Sequence, residues 1–358
     1  MDNNTTKKKR ALVAMSGGVD SAAAAILMRD AGYECIGATM KLIADGGSKC
    51  CSLEDINDAR AAAWKLDIPY YVLNCTEDFT RHVIEPFIES YANAQTPNPC
   101  IECNRYLKFD VLLRRARELE AEKLVTGHYA RIEKTGSRWL LKKGVDTHKD
   151  QSYVLYMLTQ QALAATVFPL GGMTKSEVRE LAASRGLANA AKKESQDICF
   201  APDGDYAAFI ERYTGKPCAE GDITDTEGNV VGRHRGLIRY TLGQRRGTGV
   251  ACNTPVYVAA KNTAANTLVV GGESSLYSAA FTAAGVNLIA CDNLFTPTRL
   301  KVRIRYLQKE QWAEVRQTGD DTVRVVFDEP QRAVSPGQAA VFYDGDVVVG
   351  GGTIVPDA

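Results

Sequence analysis

The sequence has no long apolar run, no excess of charge of either sign and few histidines. Its longest uncharged stretch, Ser274 to Cys291, is diluted by Ser, Thr, Gly and Asn and lacks the dense Leu, Ile and Phe of a membrane span. The opening ten residues are polar and basic, and only Ala11–Met15 is apolar before Ser16, which excludes a signal peptide. The 43 Lys and Arg are balanced by 43 Asp and Glu. That balance argues against indiscriminate nucleic-acid binding while leaving local patches open. Of the four histidines, His82, His148 and His234 have no partner at metal-ligand spacing. Hydrophobic residues at 45% and charged residues at 24% exclude a disordered, collagenous or coiled-coil chain.

Cysteine is not scarce. Ten cysteines without an export signal predict a reducing, cytoplasmic setting, where thiols serve chemistry or metal binding rather than structural bridges. Most of them are expected to be small buried hydrophobes, as Cys35 is by its surroundings. At 358 residues the chain is too long for one core and predicts two or three domains.

The first part alternates apolar runs with helical patterns, which predicts a doubly wound parallel α/β sheet. Arg10–Met15, Tyr33–Lys41, Ile68–Asn74 and Lys123–Thr126 read as strands. Asp20–Ala31, a segment from Ser52 to about Leu66, Phe109–Glu120 and Gln151–Ala165 read as helices. Thr174-Lys175-Ser176-Glu177 is a capping box opening a further helix that Gly186 closes. Ligands of such sheets bind at the carboxyl ends of the strands, where Ser16–Ser21, Met40 and Gly127-His128 fall. After about Tyr206, β-branched residues and turn signals replace helical periodicity. Expected domains are 1–205 (with a helical part at about 151–190), a central β-rich module at 206–275 and a β-barrel at 276–358. The basic run Lys7–Arg10 reads as a solvated arm.

Ser16-Gly17-Gly18-Val19-Asp20-Ser21 lies between a predicted strand and a predicted helix. Paired glycines let backbone N–H groups approach an anion, and the helix N-terminus adds positive dipole. The Gly-Lys-Ser/Thr ending of a Walker loop is missing, so the loop suits a pyrophosphate that leaves whole rather than a γ-phosphate that is transferred. The string resembles the pyrophosphate loop of the ATP-pyrophosphatase superfamily, whose members adenylate a carbonyl oxygen. That resemblance implies ATP, with Mg, held by Ala14, Met15, Ser16, Gly17, Gly18, Val19, Asp20, Ser21, Met40 and Gly127.

Cys100 and Cys103 lie three residues apart in a proline-punctuated loop, and Cys199 lies in a polar run. Lys108, Lys192 and Lys193 are candidate sources of the cationic field a reactive thiol needs. Replacing oxygen by sulfur requires an activated oxygen, a sulfur donor and a thiol that resolves the donor, so two cysteines beside an adenylating loop have a purpose. The blocks S-G-G-V-D-S, N-P-x-x-x-C-N-x-x-x-K-F, G-H-Y-A-R, K-D-Q-S-Y, S-Q-D-I-C-F, G-Q-R-R-G and P-G-Q-A-A-V-F-Y occur in order over nearly the whole chain. Together they resemble the bacterial tRNA-specific 2-thiouridylase family.

The resemblance implies an adenine nucleotide alpha hydrolase-like domain and an ATP-dependent sulfurtransferase that forms 2-thiouridine at the wobble position of tRNA. It makes Cys103 the first catalytic thiol and Cys199 the residue that receives the persulfide. It makes Asn98, Pro99 and Cys100 the target-base pocket. His128, Lys149, Asp150, Gln151, Arg305, Tyr306 and Gln338 become tRNA contacts. Partners would be tRNA and a sulfur-donor protein or sulfide, with no DNA and no membrane. Most family members carry Asp where this chain has Cys100. Three readings stay open: a neutral replacement, a disulfide with Cys103, or a [4Fe-4S] cluster held by Cys100, Cys103 and Cys199. Outside that family, an amide-forming adenylating synthetase or a non-catalytic tRNA-binding protein would share single features.

Two tracts look RNA-facing. Arg299–Tyr306 alternates cation and apolar residue, so one strand face would carry four unneutralised charges. The acid-free stretch Gly228–Val250 holds Arg233, Arg235, Arg239, Arg245 and Arg246.

Overall fold

A computed structural model describes residues 9–43, 52–187, 198–201, 204–252 and 254–356. Lys7 and Lys8 of the basic arm, Cys50-Cys51, Lys192-Lys193 and Glu194–Asp197 lie outside the described residues. Contacts divide the chain into two compact units. The first comprises Met1–Val83, Cys100–Gly204 and Asp346–Val348; the second comprises Ile84–Pro99, Asp205–Gly345 and Val349–Ala358.

The first unit is built on five parallel strands in the order β3-β2-β1-β4-β7, namely β1 (Arg10–Ala14), β2 (Glu34–Lys41), β3 (Tyr70–Asn74), β4 (Lys123–Val125) and β7 (Thr166–Val167). Strand order reverses between β1 and β4, which opens a crevice at their carboxyl ends. Helix α1 (Val19–Asp30) follows β1, and Ala22, Ala23, Ala24 and Ala25 are almost wholly buried. Four small side chains let this helix lie close on the sheet. Gly32, at φ +86°, ends it: its N–H bonds Arg29 O while Tyr33 N–H bonds Met28 O.

Helix α2 (Leu53–Lys65) has the capping box read from Ser52 and Asp55, with Asp55 N–H donating to Ser52 Oγ at 3.1 Å and Ser52 N–H to Asp55 Oδ2 at 3.2 Å.

Three local readings need correction. Gln151–Ala165 is not one helix but a 3-10 turn, Ser152–Leu155, and a restarted helix, Gln160–Ala165. Tyr153 to Leu158 are all buried, so the segment has no polar face to sustain an amphipathic helix, and Thr159 caps a new start by accepting from Ala162 N–H. The helix expected from Phe109 begins earlier, as a π-helix over Cys103–Val111 that runs into α3 (Leu112–Glu118). The chain after Tyr206 is not all β, because Asp205 caps a helix over Tyr206–Thr214 that Gly215 closes. An unforeseen hairpin, β5 (Ala130–Thr135) and β6 (Arg138–Lys143), turns at Gly136, where φ is +60°. Its sequence signal was Gly136-Ser137 between two polar, alternating runs.

In the second unit, β8 (Gly221–Thr224), β9 (Val230–His234), β10 (Tyr257–Asn262) and β11 (Thr267–Gly271) form a sheet in the order β10-β11-β8-β9. Six further strands are β12 (Tyr277–Leu288), β13 (Thr298–Arg303), β14 (Gln311–Gln317), β15 (Thr322–Arg332), β16 (Ala339–Asp344) and β17 (Val347–Ile354). They run β12-β15-β14-β13-β16-β17 and close where β12 pairs with β17. Closure removes free sheet edges. The interior holds Phe281, Leu300, Val302, Val315, Val325 and Phe342. No helix among the described residues is long and apolar enough to cross a membrane.

Candidate active site

The loop between β1 and α1 folds as its glycines require. Gly17 sits at φ +77°, and a Cβ there would run into the Asp55 carbonyl. Gly18 is the N-cap of α1 and offers no side chain to the first turn. Ser21 folds back instead, its Oγ donating to Gly18 O at 3.0 Å and accepting from Ser16 N–H at 3.1 Å. Beneath the loop, Met15 N–H bonds Ala38 O at 2.8 Å and Thr39 Oγ1 donates to Met15 O at 2.5 Å, tying the end of β1 to β2. Gly127, just past β4, touches the same helix start: a Cβ would lie 2.9 Å from Ser21 N and from the Asp20 carbonyl carbon. Thus Ser16–Ser21 and Gly127 meet at the mouth of the crevice, with Met40 half-buried near the end of β2.

Sequence reasoning missed the partners of Asp20. Lys175 Nζ lies 2.8 Å from both Asp20 oxygens, and Tyr129 Oη donates to Oδ1 at 2.8 Å. Lys175 is 7% exposed. Its capping box was legible in the sequence, but the contact with a loop 155 residues away was not.

Cys100 lies in the short helix Pro99–Glu102 and is exposed; Cys103 begins the π-helix and is half-buried. π-Helical turns are rare and concentrate at functional sites. Burial raises the Glu102 carboxyl above its ordinary range, against the pull of Arg105 and His82, which places a weak acid one residue before Cys103. Asn104 is buried and donates to Val154 O at 2.9 Å, tying the π-helix to the 3-10 turn. Cys199 is half-buried beside Phe200, whose ring packs edge-on to Phe79 at 5.9 Å.

His128 is 6% exposed among Phe109, Phe168, Thr126 and Lys108. An ammonium only donates, so Lys108 Nζ at 3.4 Å makes Nε2 the acceptor. Nδ1 then carries the proton, donated to Thr126 Oγ1 at 2.6 Å. Burial, and secondly Lys108, hold this imidazole neutral, well below its usual pKa.

Three domain families match in succession: a tRNA methyl transferase HUP domain at residues 9–203, a tRNA methyl transferase PRC-barrel domain at 207–272 and an aminomethyltransferase β-barrel domain at 278–354. A tRNA-specific 2-thiouridylase MnmA of Acetivibrio thermocellus is 48% identical over 97% of this chain and 99% of its own length. Proteins of the same name from Symbiobacterium thermophilum (48%, covering 97% and 92%) and Clostridioides difficile (46%, covering 97% and 98%) agree. The chain belongs to the tRNA-specific 2-thiouridylase family.

The remaining residues named as tRNA contacts by resemblance fall in both units. Asp150 is buried and works inward, accepting from Gly144 N–H, Ser152 N–H and Ser152 Oγ at 2.9–3.1 Å. Gln151 braces Tyr129, its Oε1 accepting from Tyr129 N–H and its own N–H donating to Tyr129 O. Lys149 is half-buried. In the second unit, Asn98 is half-buried and Pro99 buried. The irregular stretch before them is clipped to the barrel: Thr96 N–H donates to Pro336 O at 2.8 Å and Gln338 Nε2 to Thr96 O at 2.6 Å.

The alternation in Arg299–Tyr306 holds, with Leu300, Val302 and Ile304 buried, but two of its four cations are paired with acids. Arg299 pairs with Asp328 at 2.5 Å and Arg303 with Glu310 at 2.9 Å. Lys301 sits 5.2 Å over the Trp312 ring, and Arg305 donates to Ala333 O and Ser335 Oγ. The acids come from β15 and from beyond the scanned stretch, so local composition misled. Tyr306 remains 38% exposed. In the other tract Arg239 pairs with Glu211 at 2.6 Å. Arg233, Arg235, Arg245 and Arg246 are exposed, with no acid in ion-pair range among the described residues.

Among the described residues no three Cys, His, Asp or Glu side chains gather to hold a metal ion. As placed, Cys100, Cys103 and Cys199 do not form the three-thiolate set of the cluster reading, one of the three left open for Cys100: one is exposed on a helical turn, the next half-buried at a helix start, the third in a separate loop.

Proposed function

We propose that this chain is an ATP-dependent tRNA uridine 2-sulfurtransferase acting on the wobble uridine. The observation that carries the reading is the lysine-free Ser16–Ser21 turn at the switch point of a parallel sheet, with Gly127 pressed against it. Such a turn binds the inner phosphates through N–H groups and helix dipole and lets pyrophosphate depart intact. The uridine C2 oxygen attacks the α-phosphorus, pyrophosphate leaves, and C2 becomes electrophilic. The outer sulfur of a Cys199 persulfide then attacks C2, and AMP departs with the former C2 oxygen. The Cys103 thiolate attacks Sγ of Cys199, so the new thiocarbonyl is released as a Cys103–Cys199 disulfide forms. The cycle closes by either of two balanced routes: sulfide attacks Sγ of Cys199 in that disulfide, expelling the Cys103 thiolate and leaving the Cys199 persulfide, or a thiol reductant opens the disulfide and the Cys199 thiolate takes the outer sulfur of a donor protein's persulfide, releasing the donor's thiolate.

The persulfide route is preferred to a cluster route because the thiols offer no three-thiolate set among the described residues. To reach any pocket the wobble base must leave its stack, so Asn98, Pro99 and Cys100 are its proposed receiving surface. His128, Lys149, Asp150 and Gln151 of the first unit, and Arg305, Tyr306 and Gln338 of the second, are further proposed tRNA contacts, Asp150 and Gln151 by bracing loops.

The test is nucleoside mass analysis of unmodified tRNA incubated with enzyme, ATP-Mg and sulfide. The reading predicts 2-thiouridine together with stoichiometric pyrophosphate. Absence of product with every donor, or release of orthophosphate instead, would overturn it.

A further inference from the structure

The pyrophosphate loop contains its own electrostatic problem. Asp20 occupies the second position of α1, among the N–H groups that are meant for an anion. A bare carboxylate there would repel the polyphosphate that the helix dipole attracts. The structure answers with Lys175, whose ammonium is equidistant from both Asp20 oxygens at 2.8 Å, and with the Tyr129 hydroxyl on Oδ1. The lysine also lies 5.7 Å from the centre of the Tyr129 ring, so the three groups form one cluster.

Each grip is held from behind. Lys175 is the first residue of the helix Lys175–Ser184; its N–H donates to Asp146 Oδ2 at 3.0 Å, and Thr174 and Glu177 complete a capping box around it. The Lys175 N–H most of all, and then the His148 and Lys149 N–H groups, hold Asp146 below the usual carboxylate range. Tyr129 is fixed through both backbone groups by Gln151. A staple between two helices would be made at least as well by apolar side chains, since a buried ion pair adds little net stability. Retaining a charged pair at the mouth of an anion site points to charge placement.

We propose that Lys175, assisted by Tyr129, is a positioning residue that neutralises and aims Asp20 so that the Ser16–Ser21 turn presents net positive potential to ATP. The proposal rests on the nucleotide reading of that turn. It assigns the lysine that the loop itself lacks to a helix 155 residues downstream.

The experiment compares Lys175→Met, Lys175→Arg and the double variant Asp20→Asn/Lys175→Met in equilibrium binding of labelled ATP with Mg, tRNA binding and thermal melting. For Lys175→Met we expect the ATP Kd to rise at least tenfold while the tRNA Kd stays within about twofold. Lys175→Arg should recover most of the loss. The double variant, with neither charge, should bind ATP within a few-fold of wild type. It also keeps the proposal testable if the stranded carboxylate of Lys175→Met prevents folding. An ATP Kd within twofold of wild type for Lys175→Met, no rescue by arginine, or no recovery in the double variant would each overturn the proposal. A purely structural lysine would lower the melting temperature without changing the ATP Kd of folded protein, and that outcome also overturns it. If wild-type protein binds no ATP, the functional reading fails instead, and the two failures are told apart.

Discussion

At neutral pH the His128 imidazole is uncharged and wedged between an ammonium and a hydroxyl. Below about pH 6.5 the unfolded chain takes up a proton there that the folded chain refuses. Stability should therefore fall as pH drops through that range, by up to about 1.4 kcal/mol per pH unit. Melting temperatures of wild type and His128→Gln between pH 7 and 5 should show a shallower acid limb in the variant. The thiols carry a second expectation. Cys103→Ser and Cys199→Ser should each reduce 2-thiouridine formation by about a thousandfold or more, since each removes the nucleophile of one step, while labelled ATP binds as before. Lys261 offers a third. Its Nζ is buried without a hydrogen-bond partner among the described residues, 5.9 Å over the Tyr91 ring, and burial pulls its pKa down to about 8. Below that pH the folded state carries a desolvated charge, so Lys261→Met should raise stability at pH 7 by about 2 kcal/mol. The gain should shrink toward pH 10, where the folded lysine is already neutral. Denaturant titrations at the two pH values measure both. Nothing in the sequence around Lys261 signalled this, because the ring beneath it belongs to a helix 170 residues upstream.

Elements differ in how much of them a sequence discloses. The turn Ser16–Ser21, the Ser52 and Thr174 capping boxes and Gly32 could be read directly, since each is a contract between residues at most a few positions apart. The break at Thr159 could not, because burial of Tyr153–Leu158 on all sides erases the periodicity that identifies a helix, and the π-helix at Cys103 could not, because it starts without a side-chain cap directly after a proline-punctuated stretch. Gly127 stands between these cases. Its place after β4 was legible, while its steric duty against Ser21 depends on two elements meeting. Gly127→Ala must push the start of α1 away. It should raise the KM for ATP about tenfold or more and destabilise the fold by about 1–3 kcal/mol. Steady-state kinetics with varied ATP, beside a melting curve, separate the two effects.

Across the whole molecule, the distribution of charge changes most between sequence and structure. Arg299 and Arg303 looked like a phosphate track and prove to be tied into the barrel by Asp328 and Glu310. The exposed arginines Arg233, Arg235, Arg245 and Arg246 remain. Arg245→Glu/Arg246→Glu should weaken tRNA binding about tenfold or more and reduce the slope of log affinity against log salt by about one for each phosphate no longer neutralised. Arg299→Gln should leave that slope unchanged. Filter-binding titrations at several salt concentrations discriminate the two sites.

The chain does not pass from one unit to the other at a single point. Residues Ile84–Pro99 leave the first unit to pack in the second, where the Tyr91 ring lies tilted against Tyr206 at 4.6 Å, before the polypeptide returns with Cys100. Excising an autonomous N-terminal fragment by cutting near residue 205 would therefore strand Phe87 and Tyr91 without the aromatic neighbour that shields them. Such a truncation should precipitate or recruit a chaperone. On the ribosome, the segment that leads into the thiol-bearing helix must wait for sequence made long after it.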